Sequence, residues 1–249
     1  MNKRRIRTCV LGGGFLLVIG IIVTMYRPYK SVITFIFDDG VKEDSKIVEL
    51  FDKHSLKCGF ALISWLSEED YLRYLEYQNN GYEILAHSTD GEPMVTDIFS
   101  ETDVAYKLSE SKKILTEWDM NITGWVSPSS VLNEKYIGLL KKDYNFGYTK
   151  YYGTYEISDT LRPYNLLNDD PYRLWRIDLY NSLEDLEHAI DLTYENNGML
   201  TLYFHSYDLN SDQIKKIEEL LEYIKQKQIK VLPPNAAFEY YYGDHWLSI

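Results

Sequence analysis

Five segments of this chain end in side chains that could carry out hydrolytic chemistry. One apolar run, Thr34 to Phe37, leads directly into Asp38-Asp39-Gly40. The other four segments end in His87 to Asp90, in Ser127-Pro128-Ser129, in Asp178 and in His205. Carboxylates and imidazoles exchange protons and bind metal ions near neutral pH. If these segments are parallel strands of one sheet, their carboxyl ends meet at one edge, and the sequence predicts a hydrolytic site there, with or without a metal ion.

Each of these groups also has an ordinary structural interpretation. Asp-Asp-Gly is typical of a turn, in which Asp accepts backbone hydrogen bonds and Gly supplies a positive φ. A single histidine at the end of a strand often has only a packing role. The hypothesis of a site therefore depends on the convergence of the five segments and on no single residue.

The hydrophobic pattern predicts how the chain brings these segments together. From Ser31 onward, short apolar runs alternate with amphipathic stretches, which is typical of repeated β-α units around a parallel sheet. The predicted strands are Val32 to Phe37, Cys58 to Ile63, Glu83 to Ala86, Gly124 to Val126, Phe146 to Tyr148, Leu174 to Ile177, Leu200 to Phe204 and Lys230 to Leu232.

Six helices are predicted between these strands. Four begin at serine N-caps, namely Ser67, Ser100, Ser182 and Ser211, the first three with an Asp three residues later. The other two helices are Glu43 to Lys53 and Asn133 to Lys142. The fold expected for residues 31–249 is α/β, a distorted (β/α) barrel of seven or eight parallel strands in one domain, and a doubly wound open sheet is the alternative.

Composition excludes several classes of protein. The 249 residues are 45% hydrophobic, which indicates a folded chain with a large core and excludes disordered and polytopic membrane proteins. The net charge is −12, and all 38 acidic residues follow residue 30, so we expect no nucleic-acid partner. Only Cys9 and Cys58 are present, and they provide no disulfide framework.

The first thirty residues predict a membrane anchor. Thr8 to Tyr26 contains no charged residue and, as a helix, roughly spans a hydrocarbon core of about 30 Å. Four basic residues precede this stretch and two follow it, which favours a cytoplasmic N-terminus. We therefore expect residues 1–30 to form a basic tip and an uncleaved signal-anchor transmembrane helix, with a single-pass protein in the cell membrane and its C-terminal domain outside.

Three stretches resemble the polysaccharide deacetylases, the NodB-like enzymes of carbohydrate esterase family four. Thr34 to Gly40 reads Thr-Phe-Ile-Phe-Asp-Asp-Gly and is similar to the first motif of that family. Gly81 to Ser88 is similar to the approach to the second motif, and Gly198 to His205 is similar to the last. The resemblance covers Ser31 to Leu232, nearly the whole domain, and it also implies a distorted (β/α) barrel.

The resemblance implies a role for each of four residues. Asp38 would be the general base, and Asp39 and His87 would bind a divalent metal, usually zinc. His205 would be the general acid. The chemistry is coherent, because a metal polarises the carbonyl and the water, a carboxylate takes the proton of the water, and a histidine protonates the departing amine. The implied partner is a polysaccharide; the sequence makes no prediction about oligomeric state.

The chain departs from the family pattern at two positions. The second metal-binding His of the family is replaced by Gly91, and Asp90 is the predicted third ligand, which zinc or manganese would accept; Glu92 and Asp208 are less favoured. The Arg of the third motif, Arg-x-Pro, is replaced by Val126, and Arg162 or Arg176 would have to supply the charge. Trp125, Ser127, Pro128 and Asp178 are the predicted substrate-binding or supporting residues.

Three functional hypotheses follow. The first is a metal-dependent deacetylase acting on an N-acetylated, or O-acetylated, cell-surface polysaccharide. The second is a degenerate barrel of the same kind that binds glycan or acts as a scaffold without turnover, because Gly91 and Val126 are departures in the reactive machinery. The third is a metal-independent glycoside hydrolase that pairs Asp38 or Asp39 with Asp178. The 23 tyrosines are attributed to packing, and no sugar subsite is predicted from them.

Overall fold

The computed structural model describes residues 30–94, 99–130, 132–152 and 162–246. The predicted membrane helix, Thr8 to Tyr26, lies outside these residues. Within the described residues, no helix combines the length and the apolar character needed to cross a membrane. Residues from Ser31 onward form one compact unit.

Parallel strands close into the predicted barrel. The sheet order is β2-β3-β4-β5-β6-β7-β1-β8, and the additional pairing of β2 with β1 closes a ring of seven strands. The prediction of a barrel is confirmed, and the open doubly wound sheet is wrong. The strands are β1 Val32–Asp39, β2 Gly59–Leu62, β3 Glu83–Ala86, β4 Gly124–Val126, β5 Phe146–Tyr152, β6 Leu174–Asp178, β7 Met199–His205 and β8 Lys230–Val231.

The first strand organises the barrel and explains its distortion. One edge of β1 pairs with β7 from Val32 to Asp38. The opposite edge is shared, because β8 pairs with Val32 and Ile33 while β2 pairs with the stretch from Ile36 to Asp39. The eighth strand therefore lies beside the ring of seven and is not part of it.

The described residues form seven helices. They are α1 Asp44–Lys53, α2 Glu68–Asn79, α3 Glu101–Glu117, α4 Ile137–Asp143, α5 Leu183–Glu195, α6 Ser211–Gln226 and α7 Pro234–Trp246. Ser67, Ser100 and Ser182 are the N-caps that the sequence predicts. At α6 the prediction is wrong by one residue, because the side chain of Asn210 accepts the capping hydrogen bonds and Ser211 is already helical.

Helix α7 was not predicted, and it closes the amino end of the barrel. Its residues Phe238, Tyr241 and Tyr242 are buried in the same apolar cluster as Ile36 and Phe146. The carboxylate of Glu83, the first residue of β3, accepts hydrogen bonds from the backbone N–H groups of residues 235 and 236 at the start of the helix. Tyr241 and Tyr242 are packing residues, as the sequence predicts for this cluster.

The alternation of strand side chains separates the apolar core from the reactive groups. Val32 and Ile36 belong to the cluster inside the barrel, whereas Ile33, Phe35 and Phe37 pack against the helices outside. Since alternate residues share one face of a strand, Asp38 continues the inner row at the carboxyl end of β1. Helix α7 closes one end of the barrel, and the open end carries the candidate site.

Candidate active site

Asp38 forms a buried ion pair with Arg176. Both carboxylate oxygens of Asp38 lie 2.8 Å from Nη1 of Arg176, and the side chains are 2% and 1% exposed. Arg176 lies on β6, two residues before Asp178 and on the same face of the strand. A buried charge of this kind needs its partner, because removing either one leaves the other uncompensated.

This pair decides between the two arginines that the sequence leaves open. Arg162 donates instead to both carboxylate oxygens of Asp169, at 2.8 and 2.6 Å. Val126, at the position where the family has its Arg, is fully buried in the apolar cluster inside the barrel. The positive charge beside Asp38 therefore comes from β6 in this chain, two strands further along the ring than β4.

Asp39 lies against two imidazoles. Its Oδ1 is 3.5 Å from Nε2 of His87, and its Oδ2 is 3.8 Å from Nε2 of His205. The backbone turns sharply here, with φ of 78° at Asp39 and 76° at Gly40. Burial raises the pKa of the Asp39 carboxyl, but the contact with His87 and the electrostatic influence of His205 and Arg176 outweigh burial, and the net pKa is lowered. Asp39 is therefore a carboxylate at neutral pH.

The orientation of His87 is fixed by the backbone of the neighbouring strand. Its Nδ1 lies 2.9 Å from the carbonyl oxygen of Val126, and a carbonyl can only accept, so Nδ1 carries hydrogen. In the neutral ring, Nε2 then carries a lone pair, which faces a carboxylate oxygen of Asp39. Two acceptor atoms 3.5 Å apart need a positive charge between them, which either a proton on Nε2 or a metal ion supplies. Metal-binding histidines are commonly oriented by a hydrogen bond from the other ring nitrogen, as Nδ1 makes here.

The position of the missing metal-binding His is closed to a larger side chain. Gly91 has a φ of +72°, and a Cβ there would lie 2.8 Å from Cδ1 of Ile63. A histidine would therefore need both a strained backbone and a displaced Ile63. Asp39 and His87 fit two ligand positions of a metal ion, but the three-ligand set implied by the resemblance does not fit.

Asp90, the predicted third ligand, makes other contacts in the described structure. Its carboxylate binds Lys107 of α3 and accepts hydrogen bonds from Ser88 and from the backbone N–H of Glu92. The second carboxylate on Lys107 is Glu92, at 2.9 Å. Among the described residues, no group of three His, Cys, Asp or Glu side chains is arranged to hold a metal ion. In this structure the Asp90 carboxylate is therefore an ion-pair partner of Lys107.

Asp178 is tied to the site by Tyr203, which the sequence did not single out. The Tyr203 hydroxyl donates to Oδ2 of Asp178 at 3.1 Å, and its ring lies 4.2 Å from the guanidinium carbon of Arg176. The Tyr203 and His205 rings meet edge to face at 6.1 Å. Burial raises the pKa of the Asp178 carboxyl, and the hydrogen bonds from Tyr180 and Tyr203 only partly oppose this. The signal for Tyr203 was its position two residues before His205, on the same face of β7.

The predicted supporting residues on β4 have structural surroundings. Trp125 is fully buried on the outer face of the barrel, where its ring packs 5.4 Å from that of Tyr144. The buried ring does not face the rim, so of its two predicted roles, substrate-binding or supporting, this position favours the supporting one. Ser127 is also fully buried, and its backbone N–H donates to the carbonyl of Tyr148. Pro128 begins a short 3₁₀ turn, Pro128–Ser130.

A protein-family model matches part of this chain. Residues 26–148 match the family model described as polysaccharide deacetylase. The resemblance to that family is confirmed: the chain fits a divergent member. Within the match lie Asp38, Asp39 and His87, whereas Arg176, Asp178 and His205 lie beyond it. No curated protein matches the chain in sequence.

Solved structures with the same fold differ in what their names say they do. A family 4 acetyl xylan esterase from Clostridium thermocellum, in complex with a cobalt ion, aligns at 12% identity and TM-score 0.58, over 83% of this chain and 90% of that one. A pseudoenzyme of the same esterase family from Bacillus anthracis aligns at 12% identity and TM-score 0.55, over 85% of this chain and 66% of that one. An allantoinase aligns at 13% identity and TM-score 0.65, over 86% of this chain and 91% of that one. These similarities show the fold alone, a seven-stranded (β/α) barrel.

Proposed function

We propose that this chain is a hydrolase that removes acetyl groups from an N-acetylated or O-acetylated cell-surface polysaccharide. The observation that carries the proposal is the meeting of Asp38, Asp39, His87 and His205 at one end of the barrel, with Asp38 held by Arg176. Carboxylates and imidazoles in this arrangement supply a base, an acid and ligand positions for a cation.

The proposed reaction uses Asp38 and His205 as the proton-transfer groups. Asp38 takes a proton from water as the water oxygen attacks the acetyl carbonyl carbon. His205 then gives a proton to the departing amine nitrogen, or to the alcohol oxygen of an ester, as the bond to the acetyl carbon breaks. Arg176 orients Asp38, and the Tyr203 ring, which contacts both Arg176 and His205, helps to orient these two residues.

Asp39 and His87 are the proposed ligands of a divalent metal ion, zinc before manganese. When bound, such an ion polarises the acetyl carbonyl and lowers the pKa of water. The cobalt ion in the xylan esterase with this fold supports a metal in the proposal. With two protein ligands we expect weak binding, which a calorimetric titration of the metal-free chain with zinc and then manganese measures. Asp39→Asn should abolish it, and the matched control Asp90→Asn should leave it unchanged.

The test of the proposed activity is acetate release from a panel of N- and O-acetylated oligosaccharides. We expect the unmodified chain to release acetate, and Asp38→Asn and His205→Ala each to reduce the rate by about 100-fold or more. Unchanged rates in both variants, on every substrate that responds, would show that the proposed mechanism is wrong.

A second candidate function is glycan binding without turnover. Two observations favour it. Asp38 is nearly inaccessible to solvent, with 2% of its side chain exposed, and a histidine in place of Gly91 would need a strained backbone and a displaced Ile63. A structural neighbour of the same esterase family is named a pseudoenzyme. Glycan binding that a chelator does not change, with no acetate after long incubation, is the result that this candidate predicts.

We also propose that Thr8 to Tyr26 anchors the domain in the cell membrane, with the domain on the outer side. The supporting features are the uncharged stretch and the basic residues on both sides of it. Alkaline extraction of membranes, followed by protease treatment of intact cells, tests this proposal. The chain should remain with the membrane and its C-terminal domain should be digested; release into the alkaline supernatant would contradict anchoring.

A further inference from the structure

Exposed aromatic side chains gather at the open end of the barrel. Among the described residues, five large apolar side chains are exposed, namely Trp65, Leu72, Tyr106, Tyr180 and Tyr207. Trp65, Tyr180 and Tyr207 lie in the loops that follow β2, β6 and β7. Both β2 and β7 pair with β1, and β6 pairs with β7, so these loops surround the end of β1 that carries Asp38 and Asp39.

Of these three exposed aromatic residues, Tyr207 is the one whose ring packs against His205. Its ring lies 5.3 Å from the imidazole of His205, with an angle of 35° between the two planes. Even so, Tyr207 remains 54% exposed. An aromatic ring held against a candidate general acid and open to solvent on its remaining surface offers a stacking face beside the proposed point of bond cleavage.

The turn that carries Tyr207 is held in place by its surroundings. The hydroxyl of Tyr180 donates to the carboxylate of Asp208, the last residue of the 3₁₀ turn Ser206–Asp208. The Tyr180 ring packs 4.9 Å from that of Phe204. Lys216 of α6 donates to the backbone carbonyls of residues 179 and 181, on both sides of Tyr180. A platform that is ordered before binding avoids part of the entropy cost of binding.

The platform lies in a negative electrostatic environment. Burial raises the pKa of the Tyr207 phenol, and the negative charges of Asp39, Asp208, Asp38 and Asp178 raise it further. Geometry places two of these carboxylates near the ring. Asp208 is the next residue in the turn, and Oδ2 of Asp39 lies 3.8 Å from Nε2 of His205, against which the ring packs. A sugar that carries a carboxylate, sulfate or phosphate would be repelled there, whereas a neutral sugar would not be and an amino sugar would be attracted.

We propose that Tyr207 is a sugar-stacking platform that selects glycans with neutral or amine-bearing units over anionic glycans. The inference rests on the proposed function in one respect, since that function brings the acetylated sugar beside His205. A hexose ring would stack on the exposed part of the Tyr207 ring and leave its acetyl group facing Asp39 and His205.

The test is binding, measured by calorimetry on the full-length chain without reference to turnover. The three probes are a tetramer of N-acetylglucosamine, its fully deacetylated amine form, and a hyaluronan tetramer, which carries carboxylates. We expect the first two to bind at least 10-fold more tightly than the third. Tyr207→Ala should weaken binding of the neutral tetramer about 10-fold, and Tyr207→Phe should stay within about twofold, because stacking needs the ring and not the hydroxyl.

Tyr106→Ala is the matched control, because Tyr106 is an exposed tyrosine of α3 that makes none of these contacts. It should bind all three probes like the unmodified chain. Equal binding by Tyr207→Ala and the unmodified chain, tightest binding of the anionic tetramer, or no binding of any probe would each overturn the inference. Binding that depends on Tyr207, without any acetate release, would instead overturn the proposed activity and leave the platform standing.

Discussion

The ion pair between Arg176 and Asp38 is a contact on which both stability and the proposed chemistry depend. The two charges are almost completely buried and lie 2.8 Å apart. Such a pair gains little over an apolar pair of the same shape, yet breaking it is costly because one charge is left buried alone. Stability alone therefore does not explain this buried carboxylate. The proposed role of Asp38 as a base does explain it.

Arg176→Met should lower the free energy of unfolding by about 3–5 kcal/mol, since Asp38 loses its partner. The double variant Arg176→Met with Asp38→Asn should recover much of this loss, because neither charge remains. Urea unfolding measures both values, and acetate release should be absent from both variants. A single variant within about 0.5 kcal/mol of the unmodified chain would contradict the importance of the pair.

Tyr203 is the second residue on which several contacts converge, and its hydroxyl can be tested separately from its ring. In Tyr203→Phe, Asp178 loses a hydrogen-bond donor, so the already raised pKa of its carboxyl should rise further. A carboxyl-carbon NMR titration measures this change. Tyr180→Phe is the matched control, because the Tyr180 hydroxyl binds Asp208 and only its backbone N–H reaches Asp178.

Helix α1 begins with a buried acid that links folding to pH. Asp44 is inaccessible to solvent, and its Oδ2 accepts hydrogen bonds from the hydroxyl of Tyr74 and the backbone N–H of Val41. Burial raises the pKa of the Asp44 carboxyl to about 6, although Ser206, Tyr74, Val41 and Arg73 oppose the shift. The folded chain therefore holds this proton at pH values where the unfolded chain has released it.

Because the folded-state pKa is the higher one, the contribution of Asp44 to stability should fall as pH rises from about 4 to about 6. With a shift of roughly two units, the change is at most about 3 kcal/mol. Asp44→Asn should remove this dependence. Urea unfolding at intervals between pH 4 and pH 7 compares the two chains, and parallel curves would contradict the assignment.

Helix α7 depends on one carboxylate at its start. Glu83 accepts hydrogen bonds from two backbone N–H groups there, and burial raises the pKa of its carboxyl despite these bonds. Glu83→Ala leaves both donors without an acceptor and should lower the free energy of unfolding by about 1–2 kcal/mol. Glu83→Gln keeps a carbonyl acceptor and should lose less.

Hydrogen exchange identifies where the effect of Glu83→Ala is located. The amides of α7 should exchange faster than in the unmodified chain, while those of β1 and β7 should not change. Equal protection of α7 in both chains would show that the apolar contacts of Phe238, Tyr241 and Tyr242 hold the helix without the carboxylate.

The charge of the whole chain sets what it attracts at long range. All 38 acidic residues follow residue 30, whereas the first thirty residues contain six basic residues and no acid. At about 0.15 M salt the Debye length is about 8 Å, so the local excess of acidic residues after residue 30 should repel a polyanion. We expect no binding of a fluorescent DNA duplex in an anisotropy titration at that salt concentration; micromolar binding that weakens with salt would contradict this.

The sequence by itself determined the architecture and the main candidate site residues of this protein. The hydrophobic pattern predicted all eight strands, because short apolar runs that alternate with amphipathic helices are typical of strands in a parallel sheet. The motifs around Asp38, His87 and His205 placed three groups at strand ends, and a parallel barrel necessarily brings strand ends together. Serine N-caps marked three helix starts, because the capping hydrogen bond is local in sequence.

Only the tertiary structure decided which side chains meet across the barrel. Arg176 and Asp38 are 138 residues apart, and their contact depends on the register of β6, β7 and β1, which no local pattern encodes. The same applies to Lys107, which binds Asp90, and to Ile63, which fills the space beside Gly91. Helix α7 was missed because its apolar residues face a barrel end that exists only when the ring of strands has closed.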